Sequence, residues 1–273
     1  MNIELGTFGI WKRAAETTTD LARRVEDLGY GSLWVGGSPS GDLGVIADVL
    51  AATKSIGVAT GIVNMWRDDA STVAASYYRI DASHPDRFLL GVGIGHPEST
   101  SEYRSPYDTM VGYLDDLDAA GVPRERIVLA ALGPRALRLA AGRTVGSHPY
   151  FTTPRHTKLA REIVGEGVLL APEQTVVIDP DAKRAQDVAR SFAARYLGLV
   201  NYRNSLLREG WAEQDLQEGG SDRLLDEVVL VGDAAKVADG LRAHVEAGAD
   251  NVNIQALGPE PERAYRELAE ELF

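Results

Sequence analysis

Two histidines stand just past apolar runs of the chain: His96 after residues 88–93 and His148 after residues 143–147. An imidazole beside a reacting atom can give or take a proton at neutral pH. Each can equally be a turn histidine bonded to backbone. No two of the five histidines have the H-x-x-x-H spacing of a helical metal site, and there is no cysteine, so no metal centre is expected. No serine stands in a G-x-S-x-G elbow, which gives no support to an acyl hydrolase. Leu132-Gly133-Pro134-Arg135 opens the helical stretch ALRLAA. Free N–H groups at such a helix start attract phosphate, and Arg135 could add a charge-assisted contact or stand in solvent. FLLGVGIGHPEST lacks the third glycine of the dinucleotide fingerprint, Pro97 blocks an immediate helix, and no acid ends a second strand about 20 residues on. Asp115 and Asp118 on YLDDLDAAG read as a solvated helix face.

The elements that position these groups follow one pattern: a helical stretch ends at glycine and an apolar strand follows. It recurs at Gly29, Gly121 and Gly248, followed by strands over 32–35, 127–131 and 251–256. Further strands are expected over 3–8, 56–63, 88–93, 143–147 and 174–178, apolar runs of the kind covered on both faces of a parallel sheet. Eight strands with helices between them, in a chain close to the ~250 residues typical of the class, predict an α/β fold, a (β/α)8 TIM barrel; an open doubly wound sheet is the competitor. Thr153-Pro154, Ser105-Pro106, Asp179-Pro180 and Asp233 mark helix starts. Residues 181–211 exceed an ordinary connection and predict a helical insertion late in the chain, set over one barrel end or at a dimer contact, unless they form a plain outer helix. No Pro/Gly/Ser-rich linker divides the chain, so residues 1–273 read as a single domain. The expected strand ends are dense in glycine, which lets backbone approach a flat ligand closely or merely makes tight turns.

Composition excludes whole classes. Hydrophobic residues are 44% and charged residues 25%, an ordinary globular mix. The formal net charge of −12 argues against nucleic acid and an anionic membrane surface as partners. MNIELGTFGIW does not read as a signal peptide and no apolar run nears the ~20 residues of a bilayer span, so a cytoplasmic protein acting on a small molecule is expected.

Several segments together carry a resemblance: DLARRVEDLGYGSLWVGG, ATGIVNMWRDDASTVAA, SHPDRFLLGVGIGH, GPRALRLAA and VGDAAKVADGLRAHVEAGADNV. In these the chain resembles the luciferase-like superfamily of flavin- and deazaflavin-dependent oxidoreductases, in particular its coenzyme F420-dependent subgroup. The resemblance implies a TIM barrel, usually a homodimer, with a non-prolyl cis peptide at Gly61–Ile62 backing the deazaflavin ring. It implies a cofactor phosphate at Leu132, Gly133 and Arg135, with Asn64 and Arg67 at the ring edge or supporting the loop. Sugar-phosphate dehydrogenases of the superfamily carry Asp-His after the second strand and a Glu after the glycine-rich turn; here stand Gly37-Ser38 and His96. Their sugar chemistry therefore does not transfer, and His96 becomes the leading proton-transfer residue, with Ser38, His148 and Tyr150 in support and Tyr103, Tyr107 and Tyr113 as candidates for the pocket lining. The expected activity is hydride transfer between F420 and a small organic substrate. The alternatives are an FMN-dependent monooxygenase and a catalytically silent cofactor-binding homologue. An acidic cofactor in a chain of this charge needs local cations, for which Arg67, Arg135 and Arg138 are the candidates.

Overall fold

The structure, a computed structural model, describes residues 3–95 and 105–273. All three glycine-terminated helices are present: α1 (Thr19–Asp27), α4 (Pro106–Ala119) and α10 (Ala234–Glu246). Gly29, Gly121 and Gly248 beyond them have φ of +91°, +81° and +104°, the left-handed conformation that stops a helix at little cost only with glycine. Each leads into a strand: β2 (Ser32–Gly36), β6 (Ile127–Leu129) and β11 (Val252–Leu257).

The remaining strands are β1 (Phe8–Arg13), β3 (Gly57–Gly61), β4 (Val63–Asn64), β5 (Phe88–Gly93), β7 (Gly146–Ser147), β8 (Leu169–Leu170), β9 (Glu173–Val177) and β10 (Val229–Val231). All pairings are parallel, in the order β10-β9-β11-β1-β2-β3-β5-β6-β7-β8, with β4 also on β5. Residues 169–177 close the cylinder. Ala171 N–H and Glu173 N–H donate to Ser147 and Pro149 carbonyls on one side (2.9 Å each), and Leu170 and Pro172 carbonyls accept from Asp250 and Asn253 on the other (2.9 Å each). Counting β3 with β4 and β8 with β9, eight strands make the cylinder, the expected α/β barrel, and β10 adds to the outer edge of β9.

The expected strand over 3–8 is corrected to Phe8–Arg13. Ile3 and Leu5 are buried with Leu89, Val128 and Leu169 in the cluster that fills the cylinder, so the opening residues plug its lower end. The expected strand over 143–147 shortens to two residues because α5 (Pro134–Arg143) runs on to Arg143.

Helix starts follow capping chemistry. Thr153 accepts from His156 N–H at the head of α6 (Pro154–Val164), and Asp233 accepts from Lys236 N–H at the head of α10. The cap of α7 (Ala182–Leu197) is Asp181, not Asp179; Asp179 instead pairs with Arg184. The long late segment over 181–211 is helical, holding α7 and α8 (Val200–Arg208); α9 (Asp222–Val228) follows it and packs with them. Phe192, Tyr196, Tyr202, Leu206 and Leu225 form a second apolar core there, anchored on Phe151 and Val177. Phe151 stacks on Tyr196 with centroids 5.1 Å apart, so the insertion is fixed over the cylinder's rim. No helix among the described residues is long and apolar enough to cross a membrane. Among the same residues no group of three or more His, Asp or Glu side chains is placed to hold a metal.

Candidate active site

Parallel strands end at a common rim, where backbone groups and loops lie open to a ligand. A cavity of about 420 Å³ opens there. Its floor and walls are mostly apolar: Trp11, Ile62, Ile94, Met110, Ala131 and Leu132. The insertion contributes Tyr196, Asn201 and Tyr202. Size and lining suit a planar organic ligand, whose burial is driven by apolar area and oriented by a few polar groups.

Gly61 shows how tightly the floor is built. A Cβ there would lie 2.7 Å from Trp11 Nε1 and 3.1 Å from His148 Nε2. Neither ring has room to withdraw. Trp11 lies flat on Gly36, where a Cβ would sit 1.8 Å from the indole, and its ring centroid is 5.3 Å from that of Tyr150. His148 stacks on Trp34 with centroids 4.2 Å apart, and its Nδ1–H donates to the Ala171 carbonyl (2.6 Å). That bond leaves Nε2 as the unprotonated nitrogen, buried and without a partner among the described residues; the Trp11 Nε1–H is likewise buried and unpartnered among them. Burial pulls the His148 pKa down to about 4, so the ring is neutral at neutral pH and Nε2 can accept a hydrogen bond. The Gly61–Ile62 peptide is cis, as the resemblance implies.

The other expected residues fall into three groups. Ser38, Gly61, Ile62, Asn64, Leu132, Gly133, His148 and Tyr150 all line this one cavity. Ser38 has a φ of +56°, and its carbonyl and that of Pro39 accept from the Arg67 guanidinium, which also pairs with Asp68. Arg67 thus ties down the loop after β2 and is not in the cavity lining. Arg135 lies over the Tyr107 ring, 3.5 Å from its centroid, and is likewise outside the lining. Tyr113 is buried on α4, its hydroxyl donating to the Asp68 carbonyl (2.9 Å). His96 and Tyr103 lie outside the described residues.

Of two arginines that the sequence reading passes over, one lines the cavity and the other lies outside the lining beside Gly133. Arg13, the last residue of β1, lines the cavity. Arg208 of α8 places Nη2 3.6 Å from where a Cβ on Gly133 would be. Gly133 is the N-cap of α5 and brings no capping side chain, so the helix start presents backbone N–H groups beside that guanidinium. His156 steadies this corner: its Nε2–H donates to the Leu132 carbonyl (3.0 Å). A polar network lies on the far wall. The Tyr150 hydroxyl donates to Gln255 Oε1 (2.7 Å), so the Tyr196 hydroxyl donates to Tyr150 (3.0 Å). Near it Glu173 is fully buried, accepting from Phe151 N–H (3.2 Å) and the Thr175 hydroxyl (2.5 Å). Burial pushes its pKa up to about 8, so it is a neutral acid at neutral pH.

Fold and rim cavity together define a (β/α)8 barrel with a mostly apolar cavity at the C-terminal ends of its strands. The comparison with protein families is more particular: residues 5–117 match the family model of luciferase-like monooxygenases. No curated protein matches by sequence. Among solved structures, an F420-dependent secondary alcohol dehydrogenase in complex with an F420–acetone adduct aligns at 16% identity and TM-score 0.76, covering 97% of both chains. A coenzyme F420-dependent tetrahydromethanopterin reductase from Methanopyrus kandleri aligns at 16% identity and TM-score 0.72 over 98% of both chains. The oxygenating constituent of 3,6-diketocamphane monooxygenase from Pseudomonas putida, in complex with FMN, aligns at 16% identity and TM-score 0.67 over 98% of both. At these identities the likeness shows the shared fold.

Proposed function

We propose that this chain is an F420-dependent oxidoreductase that transfers a hydride between the deazaflavin and a small organic substrate. The observation that carries this reading is the cavity: a flat apolar floor at Gly61–Ile62, and at one end a helix start with an adjoining arginine. These features fit the group. A tricyclic ring needs a closely packed floor, and Gly61, with no room for a Cβ, packs directly on Trp11 and His148. A phosphate needs N–H donors and a cation, and the Gly133 turn with Arg208 provides both.

When bound, the deazaflavin supplies hydride chemistry at its C5 carbon. The protein's part is to bind, orient and exclude water. Trp11 and Ile62 would support the ring. Leu132 and Gly133, with Arg208 beside them, would hold the phosphate, with His156 fixing the turn. Asn64 lines the edge, its Oδ1 engaged by Trp66 N–H (2.9 Å). Tyr196 and Tyr202 close the insertion's side against water. His148, neutral and fixed as an acceptor, shapes the floor; Ser38 offers a hydroxyl at the rim.

The test is anaerobic turnover with F420 carrying deuterium at C5, against small ketones, aldehydes and enones. The expected result is deuterium in the product without dioxygen. Turnover only with reduced FMN and dioxygen would overturn it in favour of the monooxygenase reading.

A further inference from the structure

We infer that Arg13 is a recognition residue for a carboxylate-bearing substrate, which deepens the proposed function and rests on it for the position of the cofactor ring. Among the described residues Arg13 is the one charged side chain in the cavity lining. Its guanidinium makes no hydrogen bond or ion pair to another described residue, whereas its neighbour Lys12 is satisfied by Glu16 at 2.6 Å. Its stem packs on Gly37, where a Cβ would stand 3.5 Å from Arg13 Cγ. The side chain is half-buried. A guanidinium stays charged in any protein environment, and one aimed at an apolar cavity is completed by an anion.

Its place in the cylinder separates it from the phosphate corner. The strand order puts β1 four strands from β6 in either direction, so Arg13 and the turn after β6 face each other across the mouth. A ligand whose phosphate lies at Gly133 would span the floor, and Arg13 stands at the other end, in the same lining as Tyr196. One planar, bidentate cation, the one positive group that the described residues place in the lining, suits a singly charged planar oxyanion better than a phosphate dianion. A net charge of −12 repels such anions elsewhere, which sharpens the selectivity of one built site.

The experiment compares 2-oxobutanoate with butan-2-one, its neutral counterpart, by ligand-observed NMR titration of the full chain with and without F420. Wild type is expected to bind the carboxylate roughly 10- to 100-fold more tightly than the ketone, the range of a hydrogen bond to a charged group. Arg13→Gln is expected to remove that preference while keeping F420 affinity within a fewfold. Arg13→Lys, which keeps the charge but not the fork, retains part of it and serves if the glutamine variant does not fold. Equal binding of the two probes by wild type overturns the assignment, as does a preference that survives Arg13→Gln. Loss of F420 affinity in Arg13→Gln also overturns it, by assigning the arginine to the cofactor's own acidic chain. Absence of F420 binding by wild type would instead count against the proposed function, because the probe preference is measured without cofactor as well.

Discussion

Replacing Gly61 with valine is expected to lower affinity for the cofactor by one to two powers of ten. The added Cβ alone meets Trp11 Nε1 at 2.7 Å and His148 Nε2 at 3.1 Å. Both rings are held from behind, by Gly36 and Tyr150 in one case and by Trp34 and the Ala171 carbonyl in the other. The backbone must therefore rise into the cavity. Overpacking of this kind costs about 1–3 kcal/mol, and here it falls on the surface that supports the ring. Gly112→Ala is the matching control, since nothing lies within 4 Å of its Cβ position. Equilibrium titration of both variants checks this; unchanged affinity in Gly61→Val would show that the ligand does not rest on this floor.

The second large effect concerns stability and pH. Glu173 holds its proton in the folded state up to about pH 8, whereas the ordinary value is 4.5. Between these values the folded state binds the extra proton, so this group's stabilising contribution is fully present below about 4.5 and is lost as pH rises through 8. The full span corresponds to roughly 4–5 kcal/mol. His148 and His244 act with the opposite sign. Burial lowers them to about 4 and about 3, so their contribution is present above about 6.5 and lost as pH falls. Comparing wild type with Glu173→Gln cancels the histidines and isolates the carboxyl. The variant is expected to gain several kcal/mol relative to wild type between pH 5 and pH 8.5, read from urea denaturation. Parallel stability profiles would show that Glu173 ionises normally.

The cylinder was largely legible because its signals are local. A glycine past each of three helices and the Thr or Asp caps act within a few residues, and they marked the strands that follow. Strands β8 and β10, two and three residues long, carry no readable periodicity. The first strand is hard to read because Ile3 and Leu5 alternate as a strand would, yet they plug the cylinder. Arg13 falls at the rim only when β1 runs to residue 13, so its place is hidden by the same signal. Arg208 was out of reach for a different reason. Its approach to Gly133 depends on how the insertion folds over the rim, a long-range contact that spacing does not encode. The same limit applies to Arg67 and Arg135, whose side chains turn to the β2 loop and to Tyr107. A helix start or an arginine can be recognised in sequence; the direction of its guanidinium cannot.

The most direct measurement is a parallel equilibrium titration of the wild-type protein with coenzyme F420 and with FMN, followed by absorbance and by protection of the protein against thermal unfolding. One-to-one saturation by F420, with a rise in unfolding temperature and weaker binding of FMN, is the result that a deazaflavin site at the cylinder's mouth requires. Saturation by FMN alone, or by neither compound, would contradict it.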